Sequence, residues 1–200
     1  MPQLLIATNN AGKLRELQDM LSVLELTVVG LREIGINVDI AETGTTFEAN
    51  AVIKASEYAR LAGIPTLADD SGLVIDHLGG RPGVYSARYA GETATDEDRL
   101  QKVLVEMKDA SERTARFVCV TALADAVGRV VASVSGTCEG IITQRPRGLS
   151  GFGYDPIFLP KGFDKTFAEI DSETKNRISH RANAVAKIIP FLRGFFNILT

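Results

Sequence analysis

Two adjacent carboxylates, Asp69 and Asp70, are the residues of this chain that most clearly suggest chemistry. They lie between an apolar pair, Leu67–Ala68, and a Ser-Gly pair, and neighbouring negative charges repel each other unless a cation is close by. A divalent cation is the simplest partner, since Mg²⁺ is held by one or two carboxylates together with water and substrate phosphates. A carboxylate beside it can take a proton from an attacking water. The alternative is a solvated Asp-Ser-Gly turn between two strands.

A polar turn near the N terminus has a composition that suits a phosphate. Thr8, Asn9 and Asn10 follow an apolar run, and Lys13 lies at the start of a helical pattern. Backbone N–H groups at a helix N-terminus and the Lys13 ammonium can both meet an anion there. The chain contains no Gly-x-x-x-x-Gly-Lys-Ser/Thr motif, and the same residues would also suit an ordinary strand-to-helix turn.

Two later segments suit a flat ligand that forms hydrogen bonds. The glycine-flanked loop Phe152–Asp155 has two aromatic rings for stacking on a base and a carboxylate that accepts base N–H hydrogens. An aromatic plug of the core would have the same composition. Lys175, His180 and Arg181 bring three donors close to a predicted helix start, where they can hold a phosphate or a keto oxygen. A solvated helix face is the alternative there.

The apolar pattern predicts an α/β chain in which these residues lie in loops at the ends of strands. A strand over 4–8, a helix over 13–21 and a strand over 26–29 form a parallel βαβ unit, whose first loop is a place for a ligand. The remaining predicted elements are helices over 47–62, from Thr95 to about 108 and over 179–198 with a kink or restart at Pro190, short strands over 65–68 and 73–75, a hairpin over 116–124 and 129–137, and loops over 79–91 and 144–156.

Composition narrows the class of protein. The 200 residues are 45% hydrophobic and 24% charged, which is the composition of one domain, or at most of two small lobes that share a core. Because no linker is visible along the chain, we predict a single domain over residues 1–200 with two lobes. The net charge of -3 argues against a nucleic-acid or membrane-surface binder, and no apolar run approaches the length of a membrane helix. Only two cysteines, Cys119 and Cys138, are present, so we expect buried strand thiols and a reducing, cytoplasmic setting.

Six motifs in order resemble the non-canonical purine nucleoside triphosphate pyrophosphatases, also called inosine triphosphatases, over nearly the whole chain. The motifs are Thr8-x-Asn10-x-x-Lys13, the acid Glu42, the central Ala68-Asp69-Asp70-Ser71-Gly72-Leu73, the Gly-rich loop from Leu78 to Tyr89, Gly151-Phe152-Gly153-Tyr154-Asp155-Pro156, and Ile178-Ser179-His180-Arg181.

The resemblance implies Mg²⁺-dependent hydrolysis of dITP, ITP and XTP to a monophosphate and pyrophosphate, which cleanses the nucleotide pool. It also implies an elongated mixed β-sheet with flanking helices, two lobes with the active-site cleft between them, and a homodimer. Carried over by residue, the general base is Asp70; the metal ligands are Glu42, Asp69 and Asp70; and the substrate contacts are Thr8, Asn9, Asn10, Lys13, Ser71, Phe152, Gly153, Tyr154, Asp155, Lys175, His180 and Arg181.

One departure from the family pattern is visible. Many members read Phe-x-Glu-Asn-Ala on the second helix, whereas Phe47-Glu48-Ala49-Asn50-Ala51 places the acid one residue earlier, about 100° around the helix. Glu48 is therefore not counted as a metal ligand.

Buried hydrogen-bond donors such as His180, Arg181 and Lys175 would favour a base with a 6-keto oxygen, which accepts their hydrogen bonds. They would disfavour a 6-amino group, because two donors that face each other form no hydrogen bond. Two other hypotheses are a nucleotide-sensing or RNA-binding module without hydrolysis, against which the Asp69–Asp70 pair argues, and a pyrophosphatase acting on modified pyrimidines.

Overall fold

The computed structural model describes residues 1–198. The strands are β1 (Gln3–Ile6), β2 (Thr27–Gly30), β3 (Thr66–Ile75), β4 (Thr114–Ala124), β5 (Val130–Ile142) and β6 (Phe158–Pro160). The α-helices are α1 (Ala11–Leu21), α2 (Phe47–Ala62), α3 (Asp96–Glu106), α4 (Ser172–Ile178) and α5 (His180–Phe196), and short 3₁₀ turns cover Arg32–Ile34, Asp76–Leu78, Gly83–Arg88 and Asp155–Ile157.

The six strands form one mixed sheet in the order β2-β1-β3-β4-β5-β6. β1 is parallel to both β2 and β3, whereas β6 is antiparallel to β5. The α/β fold with a mixed sheet and flanking helices is thus confirmed, as is the parallel βαβ unit at its start. Within the described residues, no helix is long and apolar enough to cross a membrane.

The chain folds into two compact units. The first unit comprises residues 1–70, 119–136 and the chain from Arg181 onward, and the second comprises residues 71–118 and 137–180. Three strands, β3, β4 and β5, contribute residues to both units. The single domain over residues 1–200 stays a prediction.

In the first unit, alternate residues of the strands face two different sets of helices, because side chains along a strand point to opposite faces in turn. Leu67 belongs to the set that packs with Leu17 of α1 and Val185 of α5. Ala68, the next residue, belongs to the set that packs with Ala55 of α2. The period of two therefore decides which helix each residue of β3 meets.

The second unit has its own core, formed by β3 to β6 and α3. Its centre is aromatic: the Phe117 and Phe158 ring centroids lie 4.7 Å apart, and those of Phe158 and Phe167 lie 5.1 Å apart. The two cysteines are free and buried, Cys119 on β4 and Cys138 on β5, which confirms the prediction of strand thiols.

Local signals explain where the helices begin and end. The Asn10 side chain accepts a hydrogen bond from the Lys13 backbone N–H at 3.0 Å and caps α1. Thr46 caps α2, which covers the predicted residues 47–62 and ends at Gly63 in the left-handed conformation, at φ 66°. Thr95 and Asp98 form a capping box at the start of α3, as the Thr95 prediction requires.

Several boundaries differ from the predictions. The hairpin strand β5 continues to Ile142, beyond the predicted end at 137, and β6 and α4 were not predicted at all. α5 passes through Pro190 as one helix, so the predicted alternative of a restart is wrong, and the alternative of a kink stays a prediction. The loop over 79–91 contains a 3₁₀ turn, Gly83–Arg88. The largest difference concerns the acidic pair and is described with the site.

Candidate active site

Asp69 and Asp70 lie in the middle of β3, which is one continuous strand from Thr66 to Ile75. The prediction of two short strands separated by an acidic loop is therefore wrong, and so is the alternative of a solvated turn. Both side chains are buried, with 1% and 6% of the residue surface exposed. Buried charges are stable only when they are paired. Because neighbouring residues of a strand point to opposite faces, each of the two carboxylates needs a cation on its own face of β3.

The cations that face Asp69 come from α1 and α5. The Lys13 Nζ lies 3.1 Å from Asp69 Oδ2, and the Arg181 Nη2 lies 3.2 Å from the same oxygen. Arg181 also donates from Nη1 to Glu16 of α1. This agrees with the packing of the preceding alternate residue, Leu67, against the same two helices.

Two opposing effects set the pKa of Asp69. Burial raises it, but the Lys13 ammonium and the Arg181 guanidinium outweigh burial and hold the pKa well below its usual range. Arg181 is buried too, which by itself lowers its pKa, yet the Asp69 and Glu16 carboxylates raise the pKa above its ordinary value. The Asp69 carboxylate is consequently stabilised in its ionised form by two cations.

The groups that face Asp70 come from α2. Lys54 Nζ lies 3.3 Å from Asp70 Oδ1 and 3.1 Å from Glu42 Oε1. Asn50 donates from Nδ2 to Asp70 Oδ2 at 3.2 Å. Asn50 and Lys54 are four residues apart on α2 and therefore share a face of the helix.

Burial raises the pKa of Asp70, and the Glu42 carboxylate adds to this, while Lys54 and Lys13 offset the rise only in part, so the pKa lies above its usual range. Burial lowers the pKa of Lys54, but Asp70, Asp69 and Glu42 together raise it above the ordinary value. Two adjacent aspartates thus differ in kind: Asp69 is a fixed anion, and Asp70 is the better proton acceptor.

The three carboxylates predicted to hold a metal divide into two sets. Glu42 and Asp70 converge on the Lys54 ammonium, whereas Asp69 points to the opposite face of β3 and meets Lys13 and Arg181. Over residues 1–198 no group of three or more His, Cys, Asp or Glu side chains has a metal-binding arrangement. The Asp69 ligand role stays a prediction.

The N-terminal turn lies beside Asp69 and the two cations that pair with it. Thr8 Oγ1 accepts a hydrogen bond from the Asn10 N–H at 3.2 Å, and Asn9 is exposed, with its Nδ2 donating to Asp39. Lys13, in the first turn of α1, reaches Asp69. The turn therefore presents the start of a capped helix next to a buried ion pair. Its binding of an anion stays a prediction.

In the second unit the loop Phe152–Asp155 is organised by a buried ion pair. The Lys175 ammonium bonds the Asp155 carboxylate, and the two side chains are only 7% and 4% exposed. Asp155 Oδ2 also accepts the Phe152 N–H at 2.9 Å, while the Lys175 Nζ lies 4.6 Å from the centroid of the Phe152 ring. Lys175 is therefore not on a solvated helix face.

Two further contacts fix the same loop from outside. The buried Tyr154 donates from its hydroxyl to the Ser86 carbonyl at 2.8 Å. The Gly153 N–H donates to Asp96 Oδ2 at 2.6 Å. The loop is both a glycine-rich turn and a part of the core. The buried Tyr154 fits the interpretation as a core plug, whereas Phe152 is half-buried, and its use as a stacking surface for a ligand stays a prediction.

His180 begins α5 and is 4% exposed. Its ring stacks on Phe117 at a centroid distance of 4.6 Å and an interplanar angle of 12°. Ser71 follows Asp70 on β3 and is half-buried. Arg181, although adjacent to His180, belongs with Asp69 and Lys13 in the first unit rather than with Lys175 and Asp155.

Sequence reasoning missed four residues that contact the predicted site. Asn50 and Lys54 interrupt the apolar face of α2, and a buried polar pair at spacing i, i+4 on such a face is the signal that could have found them. Glu16 has no comparable signal. Cys119 Sγ lies 3.8 Å from Asp69 Oδ2, and burial together with Asp69 raises the pKa of this thiol to about 12.

Comparison with known proteins places the chain in a family. The model of the Ham1 family matches residues 4–191, a range that contains every predicted site residue. The chain belongs to the Ham1 family. The dITP/XTP pyrophosphatase of Bacillus subtilis (strain 168) is 50% identical to it over 196 residues, which are 97% of this chain and 98% of that protein.

Other relatives agree. The dITP/XTP pyrophosphatase of Escherichia coli (strain K12) is 45% identical over 197 residues, 97% of this chain and 100% of that protein. The solved structure of a HAM1 protein from Coxiella burnetii superposes with a TM-score of 0.85 at 44% identity and covers 96% of this chain and 98% of that chain. The resemblance read from six sequence motifs is therefore confirmed for the Ham1 fold as well.

Proposed function

We propose that this Ham1 protein hydrolyses dITP, ITP and XTP to the nucleoside monophosphate and pyrophosphate. The observation that carries the proposal is the Asp69–Asp70 pair, in which one carboxylate is an anchor for Lys13 and Arg181 and its neighbour has a raised pKa. The relatives named dITP/XTP pyrophosphatase support the substrate class.

The triphosphate would be bound at the start of α1. Backbone N–H groups of the Thr8–Lys13 turn and the partial positive charge of the helix end attract anions, and Lys13 adds a full charge. Since Lys13 is already placed by Asp69 at 3.1 Å, little ordering is needed when the substrate binds.

Asp70 would act as the general base. It removes a proton from a water molecule whose oxygen forms a bond to the α-phosphorus, while the bond from that phosphorus to the bridging oxygen breaks and pyrophosphate leaves. A carboxylate with a raised pKa accepts a proton more readily, which suits this role. Lys54, which bonds Asp70, keeps the buried carboxylate oriented.

The donor set fits a magnesium ion that arrives with the substrate. Glu42 Oε1 and Asp70 Oδ1 lie 3.1 and 3.3 Å from one cationic nitrogen, so two hard oxygen donors already converge on a positive centre. Mg²⁺ uses one or two carboxylates and completes its shell with water and phosphate oxygens. A bound Mg²⁺ would withdraw negative charge from the phosphates. We propose Glu42 and Asp70 as its ligands. Asp69, the third carboxylate that the sequence predicted, is less suited, because it pairs with Lys13 and Arg181 on the opposite face of β3.

The second unit would recognise the base. The half-buried Phe152 ring has the Lys175 ammonium near it and offers a stacking surface, while Asp155 and His180 supply polar groups. Protein groups that donate a hydrogen bond toward the 6-position of the purine favour a keto oxygen, which accepts that bond, over an amino group, which cannot. Such hydrogen-bonding sites discriminate by roughly 10⁴-fold or more. Ser71, next to Asp70, is the remaining predicted contact.

The proposal is tested by steady-state hydrolysis of dITP with Mg²⁺, using Asp70→Asn against the exposed Asp109→Asn as the control. Because a general base contributes roughly 10²–10⁴-fold, kcat of Asp70→Asn should fall by that factor while Asp109→Asn stays at the wild-type value. An unchanged kcat in Asp70→Asn would remove Asp70 from the mechanism.

Metal dependence is tested separately. With excess chelator, hydrolysis should stop, and added Mg²⁺ should restore it. The reason is that the negative phosphates would lie next to the Glu42 and Asp70 carboxylates, and a divalent cation would offset their mutual repulsion. Full activity in chelator would contradict the magnesium proposal. A panel with dATP and modified pyrimidine triphosphates separates the purine-keto assignment from the pyrimidine alternative.

A further inference from the structure

Asn50 is a buried polar residue on α2 that is not among the predicted site residues. None of its surface is exposed. Its Nδ2 donates to Asp70 Oδ2 at 3.2 Å, and its Oδ1 accepts the Gly44 N–H at 2.8 Å. An N–H can only donate and an ionised carboxylate can only accept, so a single orientation of the amide satisfies both bonds.

The chemistry of this position is narrow. An aspartate at position 50 would keep the acceptor for the Gly44 N–H but would place a second carboxylate against Asp70. An alanine would remove one hydrogen bond from the buried Asp70 carboxylate and one from the half-buried Gly44 N–H. Asparagine is also a poor residue for a helix interior, so its two bonds, not helix propensity, account for it here.

Gly44 lies too close to the Asn50 side chain to carry a side chain of its own. A Cβ at Gly44 would lie 2.7 Å from Asn50 Oδ1 and 2.7 Å from the Ala49 Cβ, both closer than real contacts allow. The absence of a side chain therefore lets the Gly44 N–H approach the amide oxygen. Glu42 lies two residues earlier on the same segment.

The segment from Ile36 to Thr46 has neither helix nor strand, so side-chain bonds must place it. Tyr58 of α2 holds its first half, donating to the Val38 carbonyl at 2.8 Å and accepting the Ile40 N–H at 3.3 Å. Lys54 pairs with Glu42, and Asn50 binds Gly44. Lys54 and Asn50 both contact Asp70 as well as this segment, but Lys54 is charged, whereas the Asn50 amide is neutral.

We propose that Asn50 is a positioning residue: its amide couples the Glu42 segment to the Asp70 carboxylate and holds both in the arrangement needed for hydrolysis. The inference rests on the proposed function of Asp70 as the base. Asn50 acts through Asp70 and Glu42, so its loss should impair the chemical step and leave the binding of the nucleotide intact.

The test measures kcat and KM for dITP with Mg²⁺ in Asn50→Ala and in the isosteric Asn50→Asp, which keeps the acceptor for Gly44 and preserves the shape of the core. Loss of a residue that orients a reacting carboxylate typically costs roughly 10- to 100-fold, which is the fall in kcat expected for both variants. KM should stay within about threefold of wild type, since the phosphate and base contacts are untouched.

A second readout does not depend on turnover. Calorimetric titration with an α,β-imido analogue of dITP should give wild-type affinity in both Asn50 variants. Ser56→Ala, a buried change on the same helix, is the matched control and should alter neither kcat nor affinity. In the Asp70→Asn background, Asn50→Ala should add little further loss, because the two residues act as a unit.

The outcomes separate the two claims. If wild-type protein does not hydrolyse dITP, the proposed function fails first. If wild type is active and Asn50→Asp and Asn50→Ala retain its kcat, or if the Asn50→Ala loss is fully additive with Asp70→Asn, the positioning role is overturned while the proposed function stands.

Discussion

At the scale of single residues, two chemically identical neighbours acquire different properties from the faces of one strand. Asp69 points to α1 and α5, where Lys13 and Arg181 lower its pKa, and Asp70 points to α2, where burial and Glu42 raise its pKa against a single close ammonium. The residue type alone therefore does not distinguish the role of Asp69 from that of Asp70. The alternation of the strand and the cations on each helix decide it.

The Lys175–Asp155 pair gives a prediction at this scale. Lys175→Met leaves the Asp155 carboxylate buried without its ammonium, and breaking a buried pair in this way costs about 3–5 kcal/mol of unfolding free energy. Urea denaturation followed by circular dichroism measures it.

Arg177→Met on the same helix is the control, because the Arg177–Glu173 pair is 66% and 80% exposed and such surface pairs contribute less than about 1 kcal/mol. Equal losses in Lys175→Met and Arg177→Met would contradict the role given to burial.

At the scale of elements, the sequence predicts regular pieces well and the position of the acidic pair badly. The pattern of apolar residues predicts α2 to the residue, because its caps, Thr46 and Gly63, are local signals. The sequence predicts two strands in place of β3, because Asp-Asp-Ser-Gly has the composition of a turn. Its continuity depends on Lys13, Lys54 and Arg181, which lie far away along the chain.

The same reason limits what the sequence says about the site. Residue types and spacing, together with the family resemblance, predict the motif residues. The polar pair Asn50 and Lys54 is detectable on α2, but the partners of these residues, and Glu16 altogether, are apparent only once the helices pack on the sheet. A local pattern shows which residues are polar on an apolar face, as on α2. It does not show which distant carboxylate each of them meets.

The capping box of α3 gives a prediction for an element. Thr95 accepts from the Asp98 N–H at 3.1 Å, and Asp98 accepts from the Thr95 N–H at 2.8 Å. Thr95→Ala should lower the free energy of unfolding by about 1 kcal/mol, and Thr95→Asn should recover most of it.

Denaturation of these two variants beside the exposed Thr93→Ala provides the measurement. A Thr93→Ala loss as large as that of Thr95→Ala would show that the cap is not the cause.

At the scale of the whole molecule, the absence of disulfides predicts a simple thiol behaviour. Burial raises the pKa of Cys138 to about 11 and that of Cys119 to about 12, so at pH 8 both are protonated and shielded. Ellman's reagent should therefore react slowly with native protein and should detect two thiols per chain after denaturation. Fast reaction of either thiol in native protein would contradict their placement.

The homodimer implied by the resemblance is also a property of the whole molecule, and we propose it on that basis alone. Light scattering should give twice the chain mass of 21.5 kDa. A mass of 21.5 kDa at all concentrations would contradict it.

The proposed reaction is attack of water at the α-phosphorus with Asp70 as the base. Hydrolysis of dITP in ¹⁸O-labelled water, followed by ³¹P NMR of the products, tests the site of attack most directly. We expect pyrophosphate and dIMP, with the label in dIMP alone. Label in pyrophosphate, or release of orthophosphate and dIDP, would contradict it.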